Sequence, residues 1–275
     1  MGSDRPQESP NQDKLARFNT DVPHPARVYD AWLGGKDNFA ADRAAAERGL
    51  QAFPSTVKSV RANRAFLART VEYLVSEAGI HQFLDIGTGL PSANNTHEVA
   101  QAIVPEARIA YVDNDPIVLA HAAALLRGTA SGKTDYIDAD LREPDKILQA
   151  ASHTLDFTQP VAVMLVAVLH FIPDSADPYR IVDTLMAAVP PGSHLVLSHT
   201  AKDIFPEEMA RFAQTMNKDS AEAVNLRDRD QITRFFHNLE LIEPGVVEVA
   251  KWRPRSELEA SAPAALWGGV ARKPA

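Results

Sequence analysis

From Phe83 onward short β-branched runs alternate with longer helix-patterned ones: QFLDIG, THEVAQAIV, RIAYVDND, IVLAHAAALL and TDYIDADL follow in turn. This is the pattern of right-handed βαβ units in a parallel sheet, and it constrains the chain more than any other feature. PVAVMLVAVL and SHLVLSHT supply a fourth and a fifth strand, with YRIVDTLMAAVP as the helix between them, stopped by Pro190, Pro191 and Gly192. The run from Val161 to Ile172 is too short to cross a membrane and reads as a buried strand. GVVEVAKW and LWGGVARK read as a terminal hairpin. The expected fold class is α/β: a doubly wound, seven-stranded, mostly parallel sheet.

Acidic residues stand at the ends of three successive predicted strands, Asp85, Asp113 and Asp140, separated by 28 and 27 residues. A further 27 residues lead to Ala167, at the exit of the fourth strand. Ligands of open α/β sheets bind beyond the carboxyl ends of the strands, where the strand order reverses. Any one of these aspartates alone reads as a solvated loop residue, since Asp is common in turns. Three in phase with the βα repeat are expected to face one crevice.

The loop FLDIGTGLPSANN narrows the ligand. A dinucleotide fingerprint would place glycines at positions 87, 89 and 92, and Ser92 occupies the last. Asp85 would also repel the pyrophosphate that such a site must attract. S-adenosylmethionine has no phosphate and carries a sulfonium and an ammonium group, so it suits an acid-lined loop. On this reading Asp85 meets the ammonium, directly or through water, and Gly87, Thr88 and Gly89 bring the backbone close. Asp113 accepts from both ribose hydroxyls, Asp140 accepts from the adenine amino group, the Leu141 backbone meets the ring edge, and Asn114 or Ile117 flanks the base.

These residues carry a family resemblance. LDIGTG, YVDNDP, DADL and VAVLHFIPD resemble the successive motifs of class I SAM-dependent methyltransferases, whose sheet is Rossmann-like; Pro91 stands where that superfamily usually has a third glycine. PARVYDAWLGGKDNFAADRAAAE, DIGTGLPSANNTHEVAQ, WRP and GGVARKP are more specifically similar to a bacterial S-adenosyl methyltransferase family first catalogued as a domain of unknown function. The resemblance spans nearly the whole chain beyond the N-terminal tail. It implies the fold and SAM binding, and leaves the methyl acceptor open.

Three regions are expected. Residues 1–22 are polar and proline-dotted, with no apolar core of a secretory signal, and read as a disordered tail. Residues 23–79 form a helical cap: a turn of helix over PARVYDAWL ended by Gly34 and Gly35, a second helix capped by Asp37 or Asn38 and ended at Pro54, and a third from about Ser55 to Ala78, closed by Gly79. Residues 80–275 form the SAM-binding core, with a helical insertion at about 202–238. The resemblance implies that the cap folds over the crevice, where Phe39 is expected to cover the ligand. Arg64 is a candidate for the methionine carboxylate, against the ordinary reading of a salt-bridged surface group.

Methyl transfer from a sulfonium is an in-line displacement, so alignment and exclusion of water are the protein's main tasks and a base is optional. His170, just past the fourth strand, is the candidate base, with His199 and Tyr29 behind it; a structural hydrogen-bonding role is the bland alternative. The acceptor is read as a small molecule. A net charge of −8 opposes a general affinity for nucleic acid, and the fourth strand does not lead into the Asn/Asp-Pro-Pro-aromatic sequence of base-nitrogen methylases. No membrane partner and no metal site are expected, and the sequence leaves oligomeric state open. The absence of cysteine excludes disulfides, thiolate zinc sites and cysteine nucleophiles, and fits a cytoplasmic protein. Met209, Phe212, Ala213 and Met216 form a stripe able to line a small-molecule pocket or to serve as ordinary core. Two rivals stay open: an NAD-dependent oxidoreductase, and a non-catalytic SAM-binding regulatory protein.

Overall fold

The computed structural model describes residues 19–125, 129, 131–218, 220 and 222–275, so the expected tail lies outside them up to residue 18. Eight strands form one sheet: β1 (Gln82–Ile86), β2 (Arg108–Asp113), β3 (Lys133–Asp138), β4 (Ala162–Val166), β5 (His194–Thr200), β6 (Glu240–Leu241), β7 (Val247–Glu248) and β8 (Leu266–Arg272). Their order is β3-β2-β1-β4-β5-β8-β6, with β7 also paired to β8. Strands β1 to β5 are parallel and β8 runs antiparallel to β5 over seven register pairs, Leu266 to Arg272. The strand order reverses between β1 and β4, which places the crevice there.

The sheet is Rossmann-like and mostly parallel as expected, and its strand count differs for a local reason. The expected seventh position holds two two-residue pieces, β6 and β7, interrupted around Pro244, which has no N–H to give a ladder. GVVEVAKW is therefore strand only at Val247–Glu248 before it tightens into a 3₁₀ turn at Val249–Lys251. The apolar run Val161–Ile172 is also strand for only part of its length: β4 ends at Val166, Ala167 takes a left-handed φ of 58°, and a 3₁₀ turn follows at Leu169–Phe171.

Successive residues of each strand enter opposite cores, the period-2 rule of pleated strands. Leu84, Ile86, Val112, Val163 and Leu165 pack with Ile147, Ile181, Leu185 and Phe235 on one face. Phe83, Ile109, Tyr111, Met164 and Val196 pack with Phe66, Val71, Leu74 and Trp252 on the other. The helices that make these layers are α3 (Thr56–Ser76) and α4 (Thr96–Ile103) on the second face, and α6 (Pro144–Ala151), α7 (Pro178–Ala187) and α9 (Arg229–Thr233) on the first. Helix α5 (Pro116–Leu125) follows β2, and α10 (Glu257–Ala260) precedes β8.

Ahead of α3 lie α1 (Pro25–Leu33) and α2 (Ala40–Ala52); α8 (Pro206–Met216) belongs to the segment after β5. Proline at the first position starts α1, and Gly34, at φ 81°, ends it. Neither Asp37 nor Asn38 caps α2. Phe39 is its N-cap, and the Asp42 carboxylate reaches back to accept the Phe39 N–H at 2.8 Å, because the chain between the helices folds onto Asp30 instead. Helices α1, α2 and α8 pack together through Trp32, Phe53, Phe212 and Met216 and form the roof of the crevice.

Candidate functional site

Beneath that roof, beyond the carboxyl ends of β1 to β4, is a cavity of about 210 Å³. Asp85, Gly87, Thr88 and Gly89 line it from the β1 loop, and Asp113 and Asn114 from the end of β2. Asp140 and Leu141 line it from beyond β3, Ala167 and His170 from beyond β4, and Arg64 from α3. Of the residues proposed from sequence, Phe39, Ile117 and His199 do not line it: Ile117 packs with Leu90 and Val118, His199 is buried on β5, and Phe39 is 38% exposed with its ring 5.5 Å from the Arg27 guanidinium. Serving as N-cap of α2 turns it away from the crevice.

The glycine loop is built by backbone bonds to β2. Gly87 and Thr88 donate to the Val112 carbonyl at 2.8 and 3.2 Å, and the Thr88 hydroxyl returns to the Asp85 carbonyl at 3.0 Å. Gly87 holds φ 75°, and a Cβ there would stand 2.4 Å from Val168 Cγ2, so both backbone and space demand glycine. A Cβ built on Gly89 would meet only Ala26 of α1, at 4.0 Å, so the space over this backbone is open to a ligand. Beyond it, Asn95 is the N-cap of α4: it donates its N–H to Glu98 at 2.9 Å while its amide oxygen accepts from Ser92 N–H at 3.2 Å. Arg64 grips the same loop, donating to the carbonyls of Ala93 and Asn94 at 3.0 and 3.2 Å.

Asp85 shares strand parity with Phe83, so its carboxylate turns toward α3 and α4, where the Thr96 hydroxyl donates to it at 2.6 Å. Burial raises its pKa from 3.8 to about 6, against the lowering effects of Thr96 and Arg64. Asp113 is raised by burial too, opposed by the N–H groups of Asp115 at 2.9 Å and Gly89 at 2.8 Å. One oxygen of Asp113 thereby holds the glycine loop and the other the turn into α5. Asp140 accepts from Arg142 N–H at 2.8 Å and pairs with its guanidinium at 3.0 Å; Arg142 in turn pairs with Glu222 at 2.7 Å, closing the cavity's β3 corner.

The three base candidates are all placed by the fold. His199 is buried on β5, its Nδ1 on the Thr200 carbonyl at 2.9 Å and its Nε2 on Arg227 at 2.7 Å. Tyr29 accepts from Asn63 at 3.0 Å and donates to the Val60 carbonyl at 3.3 Å, so its hydroxyl is committed. His170 lines the cavity with Nδ1 buried and unpartnered; burial and then the nearby Arg227 push its imidazole down to about 3. A group held that low stays neutral and is a weak proton acceptor, which favours hydrogen bonding over general-base work.

Several contributors were not singled out from sequence. Asp115 Oδ2 lies 3.0 Å from His24 Nδ1 and 3.6 Å from Arg27 Nε, and Arg27 Nε lies 3.6 Å from Asp42: this buried cluster ties α1 and α2 to the β2 turn. The chain Tyr29–Asn63–Ser198 ends on the Ala167 N–H, which the Ser198 hydroxyl holds at 3.0 Å. Arg227, 2% exposed, gathers Asp174, His199 and the carbonyls of Leu169 and Ile172. The only local signal was a second acid in YVDND; the partners lie far away in sequence.

A family model described as S-adenosyl methyltransferase matches residues 11–274. The chain belongs to that family. It is a SAM-dependent methyltransferase, and S-adenosylmethionine is its cofactor. A DUF574 family protein from Streptomyces avermitilis is 42% identical with a TM-score of 0.89, over 93% of this chain and 99% of that one. A candidate methyltransferase from Thermobifida fusca is 39% identical with a TM-score of 0.86, over 94% and 98%. A SAM-dependent methyltransferase from Anabaena variabilis, 14% identical with a TM-score of 0.50 over 74% and 83%, shares the fold. Comparison with curated proteins gives no match.

The methyltransferase's own groups fit the cofactor. Asp85 is a buried carboxylate with one hydrogen-bond donor and a raised pKa, the state expected of an acid placed to meet a cation. Open space over Gly89 admits a ligand against the backbone, and acceptor-only carboxylates suit ammonium, ribose and amino donors. When bound, the cofactor supplies a methyl group on a sulfonium. Among the described residues no cluster of acids and histidines is arranged to hold a metal, and no helix is long and apolar enough to cross a membrane.

Proposed function

We propose that this methyltransferase acts on a small-molecule acceptor, at O, N or C, held between the β4 end and the helical roof. The observation that carries the reading is the division of the cavity: acids and glycines line it at β1 to β3, while Trp32, Phe53, Leu67, Met209, Phe212 and Met216 line it under the roof. Roofing by α1, α2 and α8 suits an acceptor small enough to be enclosed and kept from water. On the cofactor side, Asp85 meets the ammonium, Gly87, Thr88 and Gly89 approach the amino-acid part, and Asp113 takes the ribose hydroxyls. Asp140, with Leu141 and Asn114, takes the adenine, and Ala167 borders the transferring methyl. Arg64 acts on the cofactor through the loop carbonyls it holds. Residues 23–79 work as a cap and residues 202–238 as an insertion that completes it.

The roles of the protein are alignment and desolvation, with proton loss to solvent or buffer after transfer rather than to His170. The test is release of S-adenosylhomocysteine from labelled SAM in the presence of fractionated cell extract. The low-molecular-mass fraction is expected to accept label. Label confined to nucleic acid or protein fractions would refute the reading.

A further inference from the structure

The roof half of the cavity has a shape and a chemistry of its own. Trp32 is fixed by its indole N–H on the Ala46 carbonyl at 2.9 Å, and its ring lies 5.9 Å from Phe212 at an interplanar angle of 39°. This packing depends on Gly49 in α2: a Cβ there would stand 2.8 Å from Trp32 Cζ2, 3.1 Å from Met216 Sδ and 3.3 Å from Phe212 Cε2. Gly49 therefore sets how far the Trp32 ring is withdrawn from the cavity. His170, 6% exposed, lines the same cavity from beyond β4; its carbonyl accepts the Asn225 N–H at 2.7 Å, while its buried ring Nδ1 has no partner.

Charge is excluded from this end by its surroundings. Arg227 lies close to His170, so a cation there meets a buried like charge. An anion gains no guanidinium donor from Arg227 in return, because that side chain already spends its N–H groups on Asp174, His199, Leu169 and Ile172. An apolar wall sharing its cavity with a neutral imidazole and the unpartnered Thr200 hydroxyl is complementary to a flat apolar body bearing a single hydrogen-bonding group.

We propose that the acceptor is an uncharged aromatic small molecule, its ring body against Trp32, Phe212 and Met216 and its one polar group hydrogen-bonded to His170, with Gly49 fixing the size admitted. This rests on the small-molecule reading above and deepens it. His170 is then a recognition residue for the acceptor, and the cofactor half of the cavity is independent of it.

The test is calorimetry on the full chain saturated with S-adenosylhomocysteine, using three probes of one shape: 2-naphthol, 2-naphthoate and 2-(aminomethyl)naphthalene. The neutral naphthol is expected to bind at least about tenfold more tightly than either charged probe, since an unpaired charge is costly in an apolar site. His170→Phe should weaken naphthol about five- to tenfold, the loss of one hydrogen bond. Gly49→Ala should weaken it by a similar factor or more by moving Trp32 inward. S-adenosylhomocysteine affinity, unchanged in both variants, reports that each is folded. Failure of naphthol to bind the wild type, equal binding of all three probes, or unaltered naphthol binding in both folded variants would overturn the proposal. None of these depends on turnover, so extract labelling judges the small-molecule reading separately.

Discussion

Asp85→Asn is the perturbation whose outcome the structure specifies most fully. The residue is 5% exposed, its carboxylate accepts one hydrogen bond from Thr96, and it feels the charges of Arg64 and Asp113. Burial lifts its pKa from 3.8 to about 6, so the folded protein binds this proton more tightly than the unfolded chain does. Protonation therefore favours folding: the contribution is fully present below 3.8 and is lost as pH rises through about 6. At 1.36 kcal/mol per pKa unit, the ionised side chain costs the cofactor-free protein about 3 kcal/mol above that window. Asparagine keeps an acceptor for Thr96 and carries no charge. Urea unfolding should show the variant more stable than wild type by up to about 3 kcal/mol at pH 8, with the two converging at pH 4. The same variant should bind SAM at least about tenfold more weakly at pH 8, through loss of a charge-assisted bond. A variant equally destabilised at pH 4 and pH 8 would refute the argument that the charge is held in place for a ligand.

Asp113→Ala removes an acceptor and releases the N–H groups of Gly89 and Asp115, so calorimetry should show SAM affinity weaker by about 1–3 kcal/mol in a folded protein. Asp115→Ala breaks the cluster with His24 and Arg27, and chemical denaturation should record a loss of about 3 kcal/mol; a neutral result would mean that the cluster does not hold the roof. Gly87→Ala forces a Cβ against Val168 at positive φ, and SAM binding should be abolished at micromolar protein, read by the same calorimetry. With its imidazole held near 3, His170 should contribute no limb to a pH–rate profile between pH 5 and pH 9; a limb near pH 6.5 that vanishes in His170→Asn would contradict the assignment.

Much of this was legible in the sequence because it depends on periodicity and local chain geometry. Strands β1 to β5 follow from β-branched runs at βα spacing. The phase of Asp85, Asp113 and Asp140 places all three around one cavity, and Pro25 and Gly34 fix the ends of α1. Parity, glycine conformations and helix caps are decided within a few residues of chain, and sequence carries them directly. Phe39 shows where that ends: its aromatic character suggested a cover for the ligand, but the turn around Asp30 made it an N-cap facing outward. The Asp115–His24–Arg27–Asp42 cluster, the path from Tyr29 to Ala167, and the withdrawal of Trp32 behind Gly49 pair residues from separate elements. Such contacts have no local pattern, and whether a histidine such as His170 is a base or a neutral recognition group depends on burial and a neighbouring arginine 57 residues away in the chain. The sequence determined the sheet, the cofactor loop and the family; the packing of the roof on the sheet decided the state of each titratable group and the shape left for the acceptor, because desolvation and exclusion act through space rather than along the chain.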